Sequence, residues 1–126
     1  MERQQEYRWW TQYASVKEHI QAILSECVGL ENAITGKNLA VRVHAHERKV
    51  RAAIVELIED GMAIGASSDA LKGGYYVIAT PQELEATRAI LKARATEILQ
   101  RDKALCRAWN QRGEEVVQPM LLGLEG

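Results

Sequence analysis

Arg48 and Arg51 lie three residues apart in the run His46-Glu47-Arg48-Lys49-Val50-Arg51-Ala52. A guanidinium is a planar fork of donors that fits phosphate oxygens or the O6 and N7 edge of guanine. Between Thr35 and Val55 the chain carries five bases, Lys37, Arg42, Arg48, Lys49 and Arg51, against one acid, Glu47, with His44 and His46 among them. The acids Glu56, Glu59 and Asp60 follow directly. A helix that is basic at its start and acidic at its end can turn its start toward a polyanion, at a small cost against its own dipole.

Other chemistry is thinly represented. His44-x-His46 offers two imidazoles without a matching cysteine or carboxylate cluster, so no metal site is expected. Cys27 and Cys106 fall on apolar helical stripes and read as buried thiols, not nucleophiles or disulfide partners. Ser67-Ser68-Asp69 lacks the strand-to-helix context of an activated serine, and no phosphate-cradling G-x-x-x-x-G-K-[ST] motif occurs. No enzyme activity and no cofactor are expected.

Several elements must hold the basic cluster. Ser15 with Glu18 forms a capping box ahead of a helix with Val16, Ile20, Ile23 and Leu24 on one face, stopped by Gly29. Thr35 caps a short helix, Gly36 to Val43. A tight turn leads to a second helix over 46–60, ended by Gly61 in a left-handed cap. Leu39, Val43, Val50, Ile54, Leu57 and Ile58 form the apolar set of a three-helix core. Met62-Ala63-Ile64 and Tyr75-Tyr76-Val77-Ile78 are β-prone and read as a hairpin around a polar loop, 65–74. Thr80-Pro81-Gln82-Glu83 is the strongest helix start, with a cap, a proline at the first helical position and a capping box. That helix should reach about Trp109. The fold class is mainly α with a small β-hairpin.

The chain has 126 residues, two cysteines and a net charge of −1, with 47 % hydrophobic residues. That suits one small domain with an extension, and the balance argues against indiscriminate binding to nucleic acid. There is no apolar run of membrane-spanning length and no signal-peptide core near Met1, so a cytoplasmic protein is expected. The expected organisation is an aromatic arm over 1–14 (Tyr7, Trp9, Trp10, Tyr13), a domain over 15–79, a long amphipathic helix over 80–110 and a tail over 111–126. Trp buries a large area, so the arm reads as an anchor onto the domain or a partner.

The stretch from Ile34 to Ile78 resembles the winged helix-turn-helix domains of bacterial and phage DNA-binding proteins, of the type that begins biotin-ligase and sugar-regulator repressors. Their pattern, I-[ST]-G-x-x-L-A, a turn, S-x-x-x-V-x-x-x-I-x-x-L-x-x-x-G, then G-G-Y-x-L, is met by Ile34-Thr35-Gly36, Leu39-Ala40, Val50, Ile54, Leu57, Gly61 and Gly73-Gly74-Tyr75-Tyr76-Val77-Ile78. It departs at His44, where a turn glycine is usual, and at His46, where a serine cap is usual. The resemblance implies a winged helix-turn-helix followed by a long C-terminal helix. It implies binding to double-stranded DNA, with helix 46–60 in the major groove and the 65–74 wing on the backbone or minor groove. Glu47, Arg48, Arg51 and Ala52 would then face base edges. Lys37, His46 and Lys49 would hold phosphates, and Ser67, Ser68 and Lys72 would reach out from the wing. A sequence-specific transcription regulator is the expected function. The alternative is a winged-helix adaptor or inhibitor that docks onto a replisome or phage-defence complex.

Two partner surfaces are expected beyond DNA. Leu84, Leu91, Ile98 and Leu105 recur every seven residues, which suggests a homodimer through 80–110. The segment Gln118-Pro119-Met120-Leu121-Leu122 resembles the Q-x-x-L-[LF] peptides that dock onto bacterial sliding clamps, so a protein partner there is a further expectation.

Overall fold

The computed structural model describes residues 15–69, 73–113 and 115–120. The aromatic arm, Lys72 and the pair Leu121-Leu122 lie outside the described residues. The chain divides into two compact units, Met1–Thr87 and Arg88–Gly126, which meet within one helix.

In the first unit, α1 spans Val16–Leu24, α2 Gly36–Val43 and α3 Glu47–Glu59, and β1 (Ile64–Ser67) and β2 (Gly74–Val77) form an antiparallel hairpin. Helix α4, Pro81–Asn110, begins here. The expected caps form. Ser15 Oγ accepts the Glu18 amide at 3.1 Å, and Thr35 Oγ1 accepts the Asn38 amide at 3.0 Å. Thr80 and Glu83 close a full capping box: Thr80 Oγ1 accepts the Glu83 amide at 3.2 Å, and Glu83 Oε1 accepts the Thr80 amide at 3.3 Å.

The turn between α2 and α3 is His44-Ala45. His44 takes the left-handed conformation, φ 54°, ψ 46°, the one non-glycine residue with positive φ among those described. Histidine tolerates that region less well than glycine, so tertiary packing must hold it there. The Ala45 amide donates back to Ala40 O at 3.1 Å, which closes α2. His46 caps α3 by backbone position alone, without a side-chain hydrogen bond.

Helix α3 packs on both α1 and α2. Ile20, Leu24, Leu39, Val43, Val50 and Leu57 are all but wholly buried at their junction, with Ile54 and Ile64 beside them. Each such side chain withdrawn from water contributes about 1.5–3 kcal/mol, the largest favourable effect in so small a domain. Ile58, expected in this core, is 47 % exposed instead. Leu57 takes the inward position, and the next residue along a helix points about 100° away from it.

The hairpin starts later than its composition suggests. Met62 still belongs to the end of α3, its amide donating to Leu57 O at 2.9 Å, so β1 begins at Ile64 and the loop narrows from 65–74 to 68–73. The sheet register pairs Gly65 with Tyr76, and the buried Tyr76 ring lies over Gly65, where a Cβ would come within 2.6 Å of it. On its other edge β2 bonds to the α1–α2 connection. Ile34 and Tyr75 exchange backbone hydrogen bonds of 2.9 and 2.7 Å, and Val77 is bonded by Gly29 and to Cys27 at 2.8 and 2.7 Å. A 3-10 turn, Leu30–Asn32, shapes that connection. This third edge and the 3-10 turn have no counterpart in the sequence pattern.

In the second unit, α4 runs from Arg88 to Asn110, and residues 115–120 fold back along it. Trp109 Nε1 donates to Glu115 O at 2.8 Å, Asn110 and Val117 exchange hydrogen bonds of 3.2 and 2.9 Å, and the Met120 amide donates to Asp102. Arg112 stacks over the Trp109 ring, 4.7 Å from its centre. Leu99 and Cys106 are its buried residues among those described.

Candidate nucleic-acid interface

Helical spacing decides what α3 shows to solvent. Val50, Ala53, Ile54 and Leu57 face the core. The opposite line therefore carries Arg48, Ala52, Val55 and Glu59, with Glu47 and Arg51 on one shoulder and Lys49 and Glu56 on the other. All eight are exposed. No described residue covers Arg48, and the Arg51 side chain is 61 % exposed. Arg51 approaches Glu47 at 4.0 Å, one turn earlier, a contact loose enough to leave the guanidinium available.

Beside this helix start lies an open groove of about 570 Å³ between α2, the turn and α3. Lys37 and Val41 line it from α2, His44 and Ala45 from the turn, and His46 and Glu47 from α3. The structure thus brings Lys37, His46 and Glu47 into one concavity and sets Arg48, Lys49 and Arg51 on the adjoining surface of α3. Val41 is the member of this face that its residue type conceals. A valine reads as core in a sequence, yet here it is 67 % exposed and could meet an apolar group such as a thymine methyl.

The wing residues stand apart from that groove. Ser67, half-buried at the end of β1, accepts the Asp69 amide on its hydroxyl at 3.2 Å, so its side chain shapes the wing turn. Ser68 is exposed at the tip.

His19 of α1 was not singled out by any pattern. It is 4 % exposed, behind the helix-turn-helix. Burial lowers its pKa from the ordinary 6.5, and the positive charge of Arg42 and the imidazole of His44 lower it further. A neutral imidazole at this spot avoids a buried cation beside the Arg42 guanidinium. At the far end of α3, Lys17 pairs with Asp60 at 2.7 Å and fixes α1 against that end.

Among the described residues no group of three or more histidine, cysteine or acidic side chains could hold a metal. No helix among them is long and apolar enough to cross a membrane. Comparison with protein-family models, curated proteins and solved structures finds no match.

Proposed function

We propose that this chain binds double-stranded DNA through α3 and the groove beside it, and acts as a sequence-specific transcription regulator in the cytoplasm. The observation that carries this reading is the outward projection of Arg48 and Arg51 from a helix whose opposite face is locked into a three-helix core. A rigid platform matters because base readout needs side chains held in register with the groove. Arg48 and Arg51 suit guanine, and the small Ala52 between them and Val55 lets the helix approach the groove floor. In this reading Lys37, His46 and Lys49 would hold phosphates on either side of the groove, and Ser68 of the wing would meet the adjacent backbone. Glu56 and Glu59 share the exposed face of α3 but lie two to three turns beyond Arg48, so the N-terminal half of the helix is the part that suits a polyanion.

Selection from a pool of random duplexes tests this reading. Enrichment of a short motif rich in guanine, lost when Arg48 and Arg51 are both changed to Ala, is the expected result. Recovery of unselected sequence, or of the same motif by the double variant, would count against it.

A further inference from the structure

We infer that Val41 and Glu47 select a thymine·adenine pair beside the bases met by Arg48 and Arg51, an inference that rests on the duplex-binding reading above. The two residues line the groove from its two walls, Val41 on α2 and Glu47 on α3. Val41 lies outside the core cluster and is 67 % exposed. Helical geometry sets it one turn after Lys37, on the side of α2 turned away from Leu39, Ala40 and Val43. Neither packing nor helix propensity accounts for a valine there, since an exposed alanine would hold the helix better. Glu47 and Arg51 are one turn apart on a single shoulder of α3, 4.0 Å from each other. The concave face therefore offers a cation at Lys37, two methyl groups at Val41, a carboxylate at Glu47 and a guanidinium at Arg51.

A duplex has few partners for the two middle members. Its phosphates repel a carboxylate and give a valine nothing apolar to cover it. In the major groove the thymine methyl is the one apolar group on a base edge, and the exocyclic amines of adenine and cytosine are the only donors. Guanine presents acceptors alone, which suits Arg51 and not Glu47. A cytosine·guanine pair brings the amine without the methyl. A thymine·adenine pair brings both, the methyl for Val41 and the adenine amine for the Glu47 carboxylate. The flanking cations, Lys37 and Arg51, then meet a phosphate and the neighbouring guanine, so each member of the face has a partner of matching chemistry.

The test uses the full chain and the labelled duplex recovered by selection, with affinity read by fluorescence anisotropy. Each thymine is replaced in turn by deoxyuridine, which deletes only the methyl group. At one position the replacement should weaken wild type by about threefold or more, the worth of one buried methyl. The same replacement should make no difference to Val41→Ala. Purine in place of the adenine opposite, which lacks the amine, should weaken wild type and make no difference to Glu47→Ala. Val41 and Glu47 are exposed, so both variants keep the fold, which circular dichroism checks. Arg48→Ala with Arg51→Ala should bind more weakly yet keep the preference for thymine over deoxyuridine. A selected motif without thymine, indifference to deoxyuridine at every position, or an equal loss in Val41→Ala would overturn the inference and leave duplex binding by α3 standing. Absence of binding to any duplex would overturn both.

Discussion

Glu83 Oε2 accepts the backbone amide of Leu30 at 2.9 Å, across fifty-three positions of sequence. Its other oxygen accepts the amides of Ala79 and Thr80 at 2.7 and 3.3 Å. One carboxylate thus caps α4 and pins the 3-10 turn between α1 and α2 to the start of that helix. These backbone hydrogen bonds, Leu30 first and Ala79 next, draw its pKa below the ordinary 4.5. A lowered carboxylate pKa contributes stability that is complete above about pH 4.5 and is lost as pH falls through the folded-state value. Glu83→Gln should therefore lower Tm at neutral pH and flatten the acid limb of the Tm-against-pH curve. Thr80→Ala, which removes one cap contact worth about 1 kcal/mol, should lower Tm less and leave the acid limb in place. Equal acid limbs in wild type and Glu83→Gln would contradict this assignment.

His19 gives a second pH dependence in a different window. Its folded pKa lies below 6.5 because it is buried and because Arg42 and His44 are near. The unfolded chain takes up a proton first as pH falls, so stability should decline below about pH 6.5 and level off beneath the folded value. His19→Gln should remove that decline. A histidine C2-proton NMR titration with a midpoint at or above 6.5 would contradict the account.

The wing depends on two glycines for different reasons. Gly74 has φ +132°, and a Cβ there would collide with the Ile34 carbonyl. Gly65 lies beneath the Tyr76 ring, which is 1 % exposed and has nowhere to retreat. Gly74→Ala should cost about 2–3 kcal/mol or more in urea unfolding. Gly65→Ala should cost about 1–3 kcal/mol, and less if Tyr76 is also changed to Leu.

The neighbours Leu57 and Ile58 separate core from surface within one turn. Leu57→Ala should cost about 2–5 kcal/mol, whereas Ile58→Ala, at a site 47 % exposed, should cost less than about 1 kcal/mol. Comparable losses would mean that the α3 face has been read wrongly.

Local signals in the chain were readable where a residue acts on its own neighbours. Ser15, Thr35 and the Thr80–Glu83 pair announce their caps because the bonds span three residues. The core positions Leu39, Val43, Val50, Ile54 and Leu57 follow from helical period, and Gly73-Gly74-Tyr75 marks the hairpin. What stayed hidden is non-local. Nothing near Leu30 shows that its amide meets Glu83, nor does any pattern near Ile34 reveal its pairing with Tyr75. Ile58 and Val41 face solvent against their residue type, because the exact angle around a helix decides exposure more strongly than hydrophobicity does. Of the candidate site, the basic residues were readable from charge alone. The spread of Arg48, Lys49 and Arg51 across the solvent-facing side of α3, and the groove that joins Lys37 to His46 and Glu47, required the fold.

The central claim is that Arg48 and Arg51 meet a nucleic-acid duplex. Its most direct test is the affinity of the full chain for labelled duplex across a range of salt, for wild type and for Arg48→Ala with Arg51→Ala. Each phosphate neutralised adds about 0.9 to the slope of log K against log salt, and each lost guanine contact costs about 1–3 kcal/mol. Wild type should bind with a steep salt dependence, and the double variant should bind at least about tenfold more weakly to the selected site. No affinity at low salt, or identical curves for the two proteins, would contradict it.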